Sequence, residues 1–298
     1  MSIYQQVASN KLKSYLLILL FMAFFSFVFY VVGRSLGSST EYLILGLGFS
    51  LVSGFASYFY SDKMVLWTTG ARPATKKEFF DFYTVAENVS IAAGLPMPKL
   101  YVMDDASMNA FATGRDPKHA VVAATTGILQ RLDRTELEGV IAHEMGHVKN
   151  YDILFSSIVS VLVGTLVLLS DWIMRSMFWF GLRRDDREER SNPLQLLFLL
   201  ITLVIAPIAA TLIQLAVSRR RELLADATGA LVTRNPGALA DALEKIGSDK
   251  QPMRHASGAN AHLFISNPFK NQTARSKLAA LFSTHPPIEE RVKILREM

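Results

Sequence analysis

The stretch that decides the fold is Ser14–Gly33, which reads SYLLILLFMAFFSFVFYVVG. It holds 20 residues without a charge, and about 20 apolar residues are what a helix needs to cross a bilayer. The apolar run is longer than the roughly 7–15 residues of a signal-peptide core, and no small-residue cleavage site follows it. The pattern therefore predicts a retained membrane-spanning helix.

Three further stretches of the chain lack charged residues: Tyr42–Ser61, Ile153–Ser170 and Ser191–Ser218. The four stretches together hold 86 residues, so the other 212 carry all 57 charges, which is 27% of that remainder. Soluble domains usually have about 25% charged residues. The composition thus predicts four membrane spans and a water-soluble part of about 200 residues. For the last two stretches, a pair of buried core helices is the alternative.

The distribution of lysine and arginine predicts how the spans are oriented. Lys11 and Lys13 precede the first span, Arg34 follows it, and four basic residues follow the second. Because basic residues favour the cytoplasmic side, we expect the N-terminus and the segment after residue 61 in the cytoplasm. The loop Asp171–Arg190 conflicts with this order, since it carries five arginines on the expected outer side. A re-entrant hairpin is the alternative there.

The composition also excludes several classes of protein. The chain has no cysteine, so it has no disulfide, no thiolate metal ligand and no thiol nucleophile. Its hydrophobic content of 50% excludes disorder. A net charge of +5, dispersed along the chain, gives no reason to expect a nucleic-acid partner. Any metal ion must therefore be held by His, Asp or Glu.

The chain divides into two membrane hairpins and two soluble segments, in the order 1–61, 62–152, 153–218 and 219–298. In the first soluble segment, Thr75–Glu78 (TKKE) predicts a capping box before a helix that ends at Gly94. The runs Lys99–Met103 and His119–Thr125 predict two strands. Asp133–Glu136 (DRTE) predicts the start of a second helix.

The second predicted helix carries the motif HEMGH at residues 143–147. His143 and His147 are four residues apart, so both imidazoles lie on one face and can bind one metal ion. Glu144 then lies beside the open coordination position, where it can take a proton from water. In this composition chance would produce the motif about once in two hundred sequences, so the signal is specific.

A catalytic metal site needs a third protein ligand. The segment Arg219–Asp226 (RRRELLAD) directly follows the fourth uncharged stretch and contains Glu222 and Asp226, again four residues apart. One acid can bind the metal while the other orients a ligating imidazole. The alternative is that both are surface acids paired with the arginines. At about 1.5 Å per helical residue, His147 and Glu222 should lie within about 10 Å of the membrane surface.

Four motifs, in this order, resemble the HtpX-type membrane zinc endopeptidases, which are relatives of the CAAX-prenyl proteases. They are Met108–Gly114 (MNAFATG), HEMGH, RRRELLAD and Ser283–Arg291 (STHPPIEER). The resemblance covers essentially the whole chain. It implies a mainly α, multi-pass membrane protein with a cytoplasmic, zincin-like α+β catalytic domain that carries a small sheet. It also implies a bacterial cytoplasmic membrane and the cleavage of misfolded or damaged membrane proteins.

The resemblance assigns roles to the residues of the two central motifs. His143, His147 and Glu222 would hold one zinc ion. Glu144 would be the general base that activates water. Asp226 would be the partner that orients a ligand.

The resemblance also assigns roles outside those motifs. Asn109 and Ala110 would contact the backbone of an extended substrate at an edge strand. His285 would lie near the active site and stabilise the oxyanion. The remaining histidines have no partner at metal spacing and are expected at the surface: His119, His255 and His262. The polar stretch Ser248–Gln272 is expected to be a mobile loop rather than part of a site.

Two other functions compete with the peptidase. A membrane chaperone or adaptor with a structural zinc site would bind unfolded segments without cutting them, but a structural site has no need of Glu144. A zinc transporter would need charged residues inside its spans, and the four stretches have none. The sequence therefore favours the peptidase.

Overall fold

The computed structural model describes residues 3–35, 37–181, 219–269 and 286–298, together with residues 208 and 211. Most of the fourth uncharged stretch, residues 182–190 of the charged loop, and His285 lie outside this part of the chain. Within it the protein is mainly helical and carries a four-stranded sheet.

Both kinds of element are numbered in chain order within the described residues. The helices are α1 (Ile3–Ser35), α2 (Ser39–Phe59), α3 (Ser61–Thr68), α4 (Phe80–Ala93), α5 (Thr126–Arg131), α6 (Arg134–Lys149), α7 (Asp152–Gly181), α8 (Arg219–Thr233), α9 (Pro236–Ser248) and α10 (Ile288–Arg296). The strands are β1 (Arg72–Pro73), β2 (Lys99–Met103), β3 (Ala110–Thr113) and β4 (Val121–Thr125), and short 3-10 helices cover Pro117–His119 and Ala261–Leu263.

The first two helices form a tightly packed hairpin. Gly46, Ser50 and Gly54 recur every four residues on the buried face of α2. A Cβ atom on Gly46 would lie 2.6 Å from the Cβ of Phe29 in α1, so a larger residue has no room here. Small residues of this kind let apolar helices pack closely in a membrane.

Three helices in the described part of the chain are long and apolar enough to cross a membrane: Gln5–Arg34, Ser39–Phe59 and Asp152–Asp171. They correspond to the first three predicted spans. In the most apolar part of the third helix 61% of the chain is buried, against 28% and 22% in the first and second helices. It packs on α1 through an apolar cluster that includes Phe21, Phe25 and Ile158.

The helix that contains the third span is longer than its uncharged stretch. α7 continues to Gly181, so residues 171–181, which were expected to belong to a loop, are helical. The charges of this extension are compatible with a helix because Asp171 and Arg175 lie one turn apart and form an ion pair at 2.8 Å.

The sheet has the strand order β1-β2-β4-β3. β2 and β4 pair in parallel, whereas β1 and β3 pair antiparallel with their neighbours, so β3 lies at an edge. The predicted strand Lys99–Met103 is confirmed. The second predicted strand begins at Val121 instead of His119, because the Asp116 side chain accepts hydrogen bonds from two backbone N–H groups and caps a 3-10 helix there.

The predicted capping box at Thr75–Glu78 forms only in part, because the N–H of Glu78 donates to Oγ1 of Thr75 at 3.3 Å but the helix does not begin there. These residues form a turn, and α4 begins only at Phe80. The Glu78 carboxylate is engaged by the guanidinium of Arg72, at 2.7 and 3.0 Å, instead of reaching back to Thr75. The predicted end of the helix is correct, since Gly94 caps it at a positive φ of 66°.

Residues before α7 and residues from α8 onward share one apolar core. It joins Val122 of the sheet and Val140 of α6 to Leu239 and Leu243 of α9. α6 begins with the capping box that the sequence predicts, in which the Asp133 carboxylate and the Glu136 side chain bind each other's backbone N–H groups. The core thus holds α6 against α8 and α9.

Candidate metal centre

The motif HEMGH occupies the last turns of α6 and places two imidazoles together. The Nε2 atoms of His143 and His147 lie 3.2 Å apart. Their neighbours Ile141, Ala142 and Met145 are buried in the apolar core, which holds this part of the helix rigidly. Successive turns of one helix therefore direct two nitrogen donors at one point.

α8 brings a carboxylate to the same point. One oxygen of Glu222 lies 3.8 Å from Nε2 of His143, and the other lies 3.5 Å from Nε2 of His147. The three ligand atoms lie within 4.8 Å of one another. With bonds of about 2.0–2.1 Å, a tetrahedral zinc ion places its ligand atoms about 3.3–3.5 Å apart. The donor set therefore fits a metal ion bound by two imidazoles and a carboxylate.

Two glycines let α6 and α8 approach each other closely enough for this arrangement. A Cβ atom on Gly146 would lie 3.1 Å from the Cα of Ala225, and one on Gly229 would lie 3.1 Å from the backbone nitrogen of His143. Both are shorter than ordinary contacts of about 3.5–4.0 Å. Because the obstructing atoms belong to backbone, a side chain at either position would push the helices apart.

A carboxylate lies beside Nδ1 of each imidazole. Nδ1 of His143 lies 2.9 Å from Asp226, and Nδ1 of His147 lies 3.1 Å from Asp152. Such carboxylates hold the proton on Nδ1 and leave Nε2 for the metal. The structure thus places Asp226 next to His143, and its role as the partner that orients a ligand stays a prediction. Asp152, five residues after His147, belongs to none of the sequence motifs and directly precedes an apolar stretch, so no local pattern marks it.

Arg291, the last residue of the motif STHPPIEER, is a further member of the site, although no spacing in the sequence predicts a role for it. Its side chain is fully buried, and Nε and Nη2 donate to the two oxygens of Asp226 at 2.8 and 2.6 Å. Burial alone would raise the pKa of Asp226, but the charge and hydrogen bonds of Arg291 lower it to about 2. Nη1 of Arg291 also lies 3.7 Å from Glu222. The positive charge of one guanidinium group therefore interacts with two buried carboxylates.

Glu144 lines the same cavity as the two imidazoles and is 2% exposed. Burial raises the pKa of Glu144 to about 7, with the charge of Glu222 adding to the effect and that of His147 opposing it. A carboxyl group with a pKa near neutrality is suited to accept and release a proton.

The sheet edge that was expected to bind substrate is covered by residues 265–266 of the chain itself. The carbonyl oxygen of Ala110 accepts a hydrogen bond from the N–H of Ile265 at 3.0 Å. The buried Asn109 side chain donates to the carbonyl of Ser266 at 2.9 Å and accepts from its N–H at 3.2 Å. A substrate strand on these groups requires this segment to leave, and the substrate role of Asn109 and Ala110 stays a prediction.

The polar stretch around residue 262 is part of the site, contrary to expectation. Four of its residues line the cavity: His262, Leu263, Phe264 and Ile265. The expectation of a surface position for His262 is wrong, since it is 4% exposed and Nε2 lies 3.0 Å from the carbonyl oxygen of Ser156. The few apolar residues of this stretch turn inward, and Phe264 packs edge-on against Phe111. His119 and His255 are exposed, as expected, and the role predicted for His285 stays a prediction.

Known proteins match the chain over its whole length. Peptidase family M48 matches residues 77–298. The "Protease HtpX homolog" of Caldanaerobacter subterraneus subsp. tengcongensis is 46% identical over 300 residues, which covers 100% of this chain and 98% of that protein. The protein of the same name from Tropheryma whipplei strain Twist is 47% identical over 297 residues, which covers 99% and 98%.

A solved structure supports the fold. The crystal structure of S. mikatae Ste24p aligns with a TM-score of 0.51 at 16% identity and covers 98% of this chain and 67% of its own. The family match and the HtpX relatives agree with a buried cluster of two histidines and a glutamate that can hold a metal ion. The chain belongs to peptidase family M48 and is a membrane-bound metalloprotease similar to the HtpX homologs.

Proposed function

We propose that this chain is a zinc-dependent endopeptidase that cuts misfolded or damaged membrane proteins at the cytoplasmic face of a bacterial inner membrane. The observation that carries the proposal is the convergence of His143, His147 and Glu222 beside the buried carboxyl group of Glu144. Three protein ligands leave one position of a tetrahedral zinc ion for a reactant, as in catalytic rather than structural zinc sites.

The chemistry follows from the residues around that point. A bound zinc ion supplies Lewis-acid activation of the water and of the peptide carbonyl. Glu144 takes a proton from the water as it attacks the carbonyl carbon, and then gives this proton to the leaving amine. Asp226 and Asp152 keep both ligand imidazoles oriented. His285, in the HPP sequence, donates a hydrogen bond to the developing oxyanion.

Substrate binding uses the edge of the sheet. An extended substrate pairs with β3 and contacts Asn109 and Ala110 in place of residues 265–266. The hydrogen bonds that Ile265 and Ser266 make with these two residues support this, because they use the same groups that a substrate strand would use.

The place of the site in the chain supports a substrate in or near the membrane. His147 lies five residues before Asp152, where the third candidate span begins, so at about 1.5 Å per residue it lies within about 10 Å of that span. Residues 62–152 and 219–298 form one catalytic domain, which the hairpin 153–218 interrupts, and four spans cross the bilayer. The bias of lysine and arginine directs this domain to the cytoplasm.

A non-proteolytic chaperone with a structural zinc site is the alternative. It gives no reason to bury Glu144, a carboxyl group whose desolvation is costly, next to the ligands. The test therefore has to separate metal binding from peptide cleavage.

The experiment compares the full-length wild type with Glu144→Gln in detergent, and measures zinc content by mass spectrometry and cleavage of unfolded substrates. We expect about one zinc ion per chain in both proteins and a loss of cleavage of about 10²–10⁴-fold in the variant. Self-cleavage during purification should stop as well. Glu138→Gln, the same change earlier in α6, is the matched control and should retain activity.

Two results would contradict the proposal. Turnover by Glu144→Gln at the wild-type rate would exclude the general base. Equal cleavage of soluble casein and of an unfolded membrane protein in the same detergent would exclude the preference for membrane substrates.

A further inference from the structure

Asn10, near the start of the first membrane helix, makes contacts far along the chain. Its side chain is 2% exposed, although it lies before the apolar run of α1. The amide nitrogen donates to the carbonyl oxygen of Asn150 at 2.9 Å and to Oδ1 of Asp152 at 2.7 Å. The N-terminal hairpin is therefore bonded to the junction between α6 and α7.

Asp152 connects that junction to the metal centre. Its Oδ1 receives the hydrogen bond of Asn10, and its Oδ2 lies 3.1 Å from Nδ1 of His147. Arg221, next to Glu222 in α8, is also buried, and its Nε lies 3.8 Å from Oδ1 of Asp152. One buried carboxylate thus contacts the first membrane helix, an imidazole of the candidate metal site and the helix that supplies the third ligand.

We infer that Asn10 is a positioning residue for the metal centre, and that the N-terminal membrane hairpin completes the centre through the path Asn10–Asp152–His147. The inference rests on the proposed zinc site. It goes beyond that site because it gives the hairpin a role in metal binding, in addition to anchoring the chain in the membrane.

The physical reason is the orientation of one carboxylate. A buried carboxylate needs donors on both oxygens to keep one geometry, since each missing hydrogen bond costs free energy in an apolar environment. With Asn10 on Oδ1, the other oxygen of Asp152 faces His147. Without Asn10, Oδ1 keeps the 3.8 Å ion pair with Arg221, which is too long for a hydrogen bond. The carboxylate can then rotate, and the imidazole loses the partner that holds its Nε2 toward the metal. Residues that orient a ligand in this way typically change metal affinity by about 10–100-fold.

The backbone at the junction supports a fixed geometry. Tyr151, between α6 and α7, has a φ of 59°, a left-handed conformation that is rare for a residue with a side chain. The Lys11 ammonium group lies 4.1 Å from the centre of its ring. The Ser14 hydroxyl donates to the carbonyl oxygen of Asn10. Residues of α1 therefore hold the turn that places Asp152 next to His147.

The test measures metal binding in the full-length protein in detergent. Asn10→Leu removes the donor and keeps the number and branching of the side-chain heavy atoms. We expect zinc affinity, measured by competition with a chelator, to fall about 10-fold, and the visible absorption bands of the Co²⁺-substituted protein to shift as the ligand field changes. Ser50→Ala is the matched control, because the Ser50 hydroxyl is buried in the same hairpin and bonds to Leu47 of its own helix. It should leave affinity and spectrum unchanged.

A double-mutant cycle with Asp152→Asn tests the path. If Asn10 acts through Asp152, the double variant should lose no more affinity than Asp152→Asn alone. Additive losses would overturn the path, and wild-type affinity with an unchanged Co²⁺ spectrum in Asn10→Leu would overturn the inference. Should Asn10→Leu not fold, Asn10→Asp keeps the size and polarity but turns an acceptor toward Asp152, and it should weaken zinc binding at least as much. If the wild type itself binds no zinc, the proposed function fails instead.

Discussion

Arg291 donates two parallel hydrogen bonds to the carboxylate of Asp226, from Nε at 2.8 Å and from Nη2 at 2.6 Å. The oxygen that accepts from Nη2, Oδ1 of Asp226, also lies 2.9 Å from Nδ1 of His143. A paired guanidinium and carboxylate of this geometry are among the strongest hydrogen-bonded pairs in proteins. The C-terminal helix α10 is thereby tied to the candidate metal centre.

Removing Arg291 should destabilise the protein strongly. Arg291→Ala leaves Asp226 as a buried charge without its main partner, which typically costs about 3–5 kcal/mol. Arg296→Ala on the same helix is the control, because the Arg296 pairs with Asp241 and Glu244 are exposed and should contribute less than about 1 kcal/mol. Thermal unfolding of the metal-free proteins in detergent measures both, and equal shifts would contradict this role of Arg291.

Widening the contact between α6 and α8 should weaken metal binding. In Gly146→Val the added carbon atoms meet the backbone of Ala225, and overpacking of this kind costs about 1–3 kcal/mol. The helices then separate and Glu222 moves away from the imidazoles, so zinc affinity should fall at least about 10-fold. Gly48→Val in α2, where no atom of the described residues lies within 4 Å of the added Cβ, should bind zinc normally. Normal binding by Gly146→Val would show that the helices tolerate the added volume.

Metal removal should lower thermal stability through the same three ligands. A ligand present at about 1,000 times its dissociation constant stabilises the folded state by about 4 kcal/mol, so chelation should lower the unfolding temperature of the wild type. Glu222→Gln loses the charged ligand, and its unfolding temperature should therefore respond much less to chelator or added zinc. A variant that responds as strongly as the wild type would remove Glu222 from the ligand set.

The cap of α6 should make stability depend on pH. Hydrogen bonds from the backbone N–H of Glu136 and from Thr135 lower the pKa of Asp133 below its ordinary value. A lowered folded-state pKa stabilises the protein above the unfolded-state value of about 3.9, and this contribution is lost as the pH falls through the folded-state pKa. Asp133→Ala should therefore cost about 1 kcal/mol at pH 7 and less under acidic conditions.

The neutral variant Asp133→Asn serves as the control for the cap. Asparagine is an equally good N-cap, so this variant should retain most of the stability at pH 7 without the same loss at low pH. The measurement is the unfolding temperature of the metal-free proteins between about pH 7 and pH 3. An Asp133→Ala penalty that stays constant over this range would contradict the role of the charge.

Much of the fold follows from local patterns. The apolar runs predicted three helices that the structure describes, DRTE predicted the start of α6, and KLYVM predicted β2. The predicted start of α4 is wrong because the Glu78 carboxylate accepts hydrogen bonds from the guanidinium of Arg72 and not from the backbone N–H of Thr75. The edge strand β3 has only four residues, which is too short for its alternation to stand out in the sequence.

The sequence by itself determined the candidate ligands, because two histidines four residues apart must share a helix face and the absence of cysteine left only His and acidic donors. It also predicts that a membrane hairpin interrupts the soluble part. The spacing left open whether Glu222 or Asp226 binds the metal, and only the family resemblance predicted Glu222, which the structure places opposite both Nε2 atoms. Only the tertiary structure brought Arg291, Asp152 and Asn10 to the centre. Those contacts join residues up to 142 positions apart, and no local periodicity encodes which distant side chains a packed core brings together.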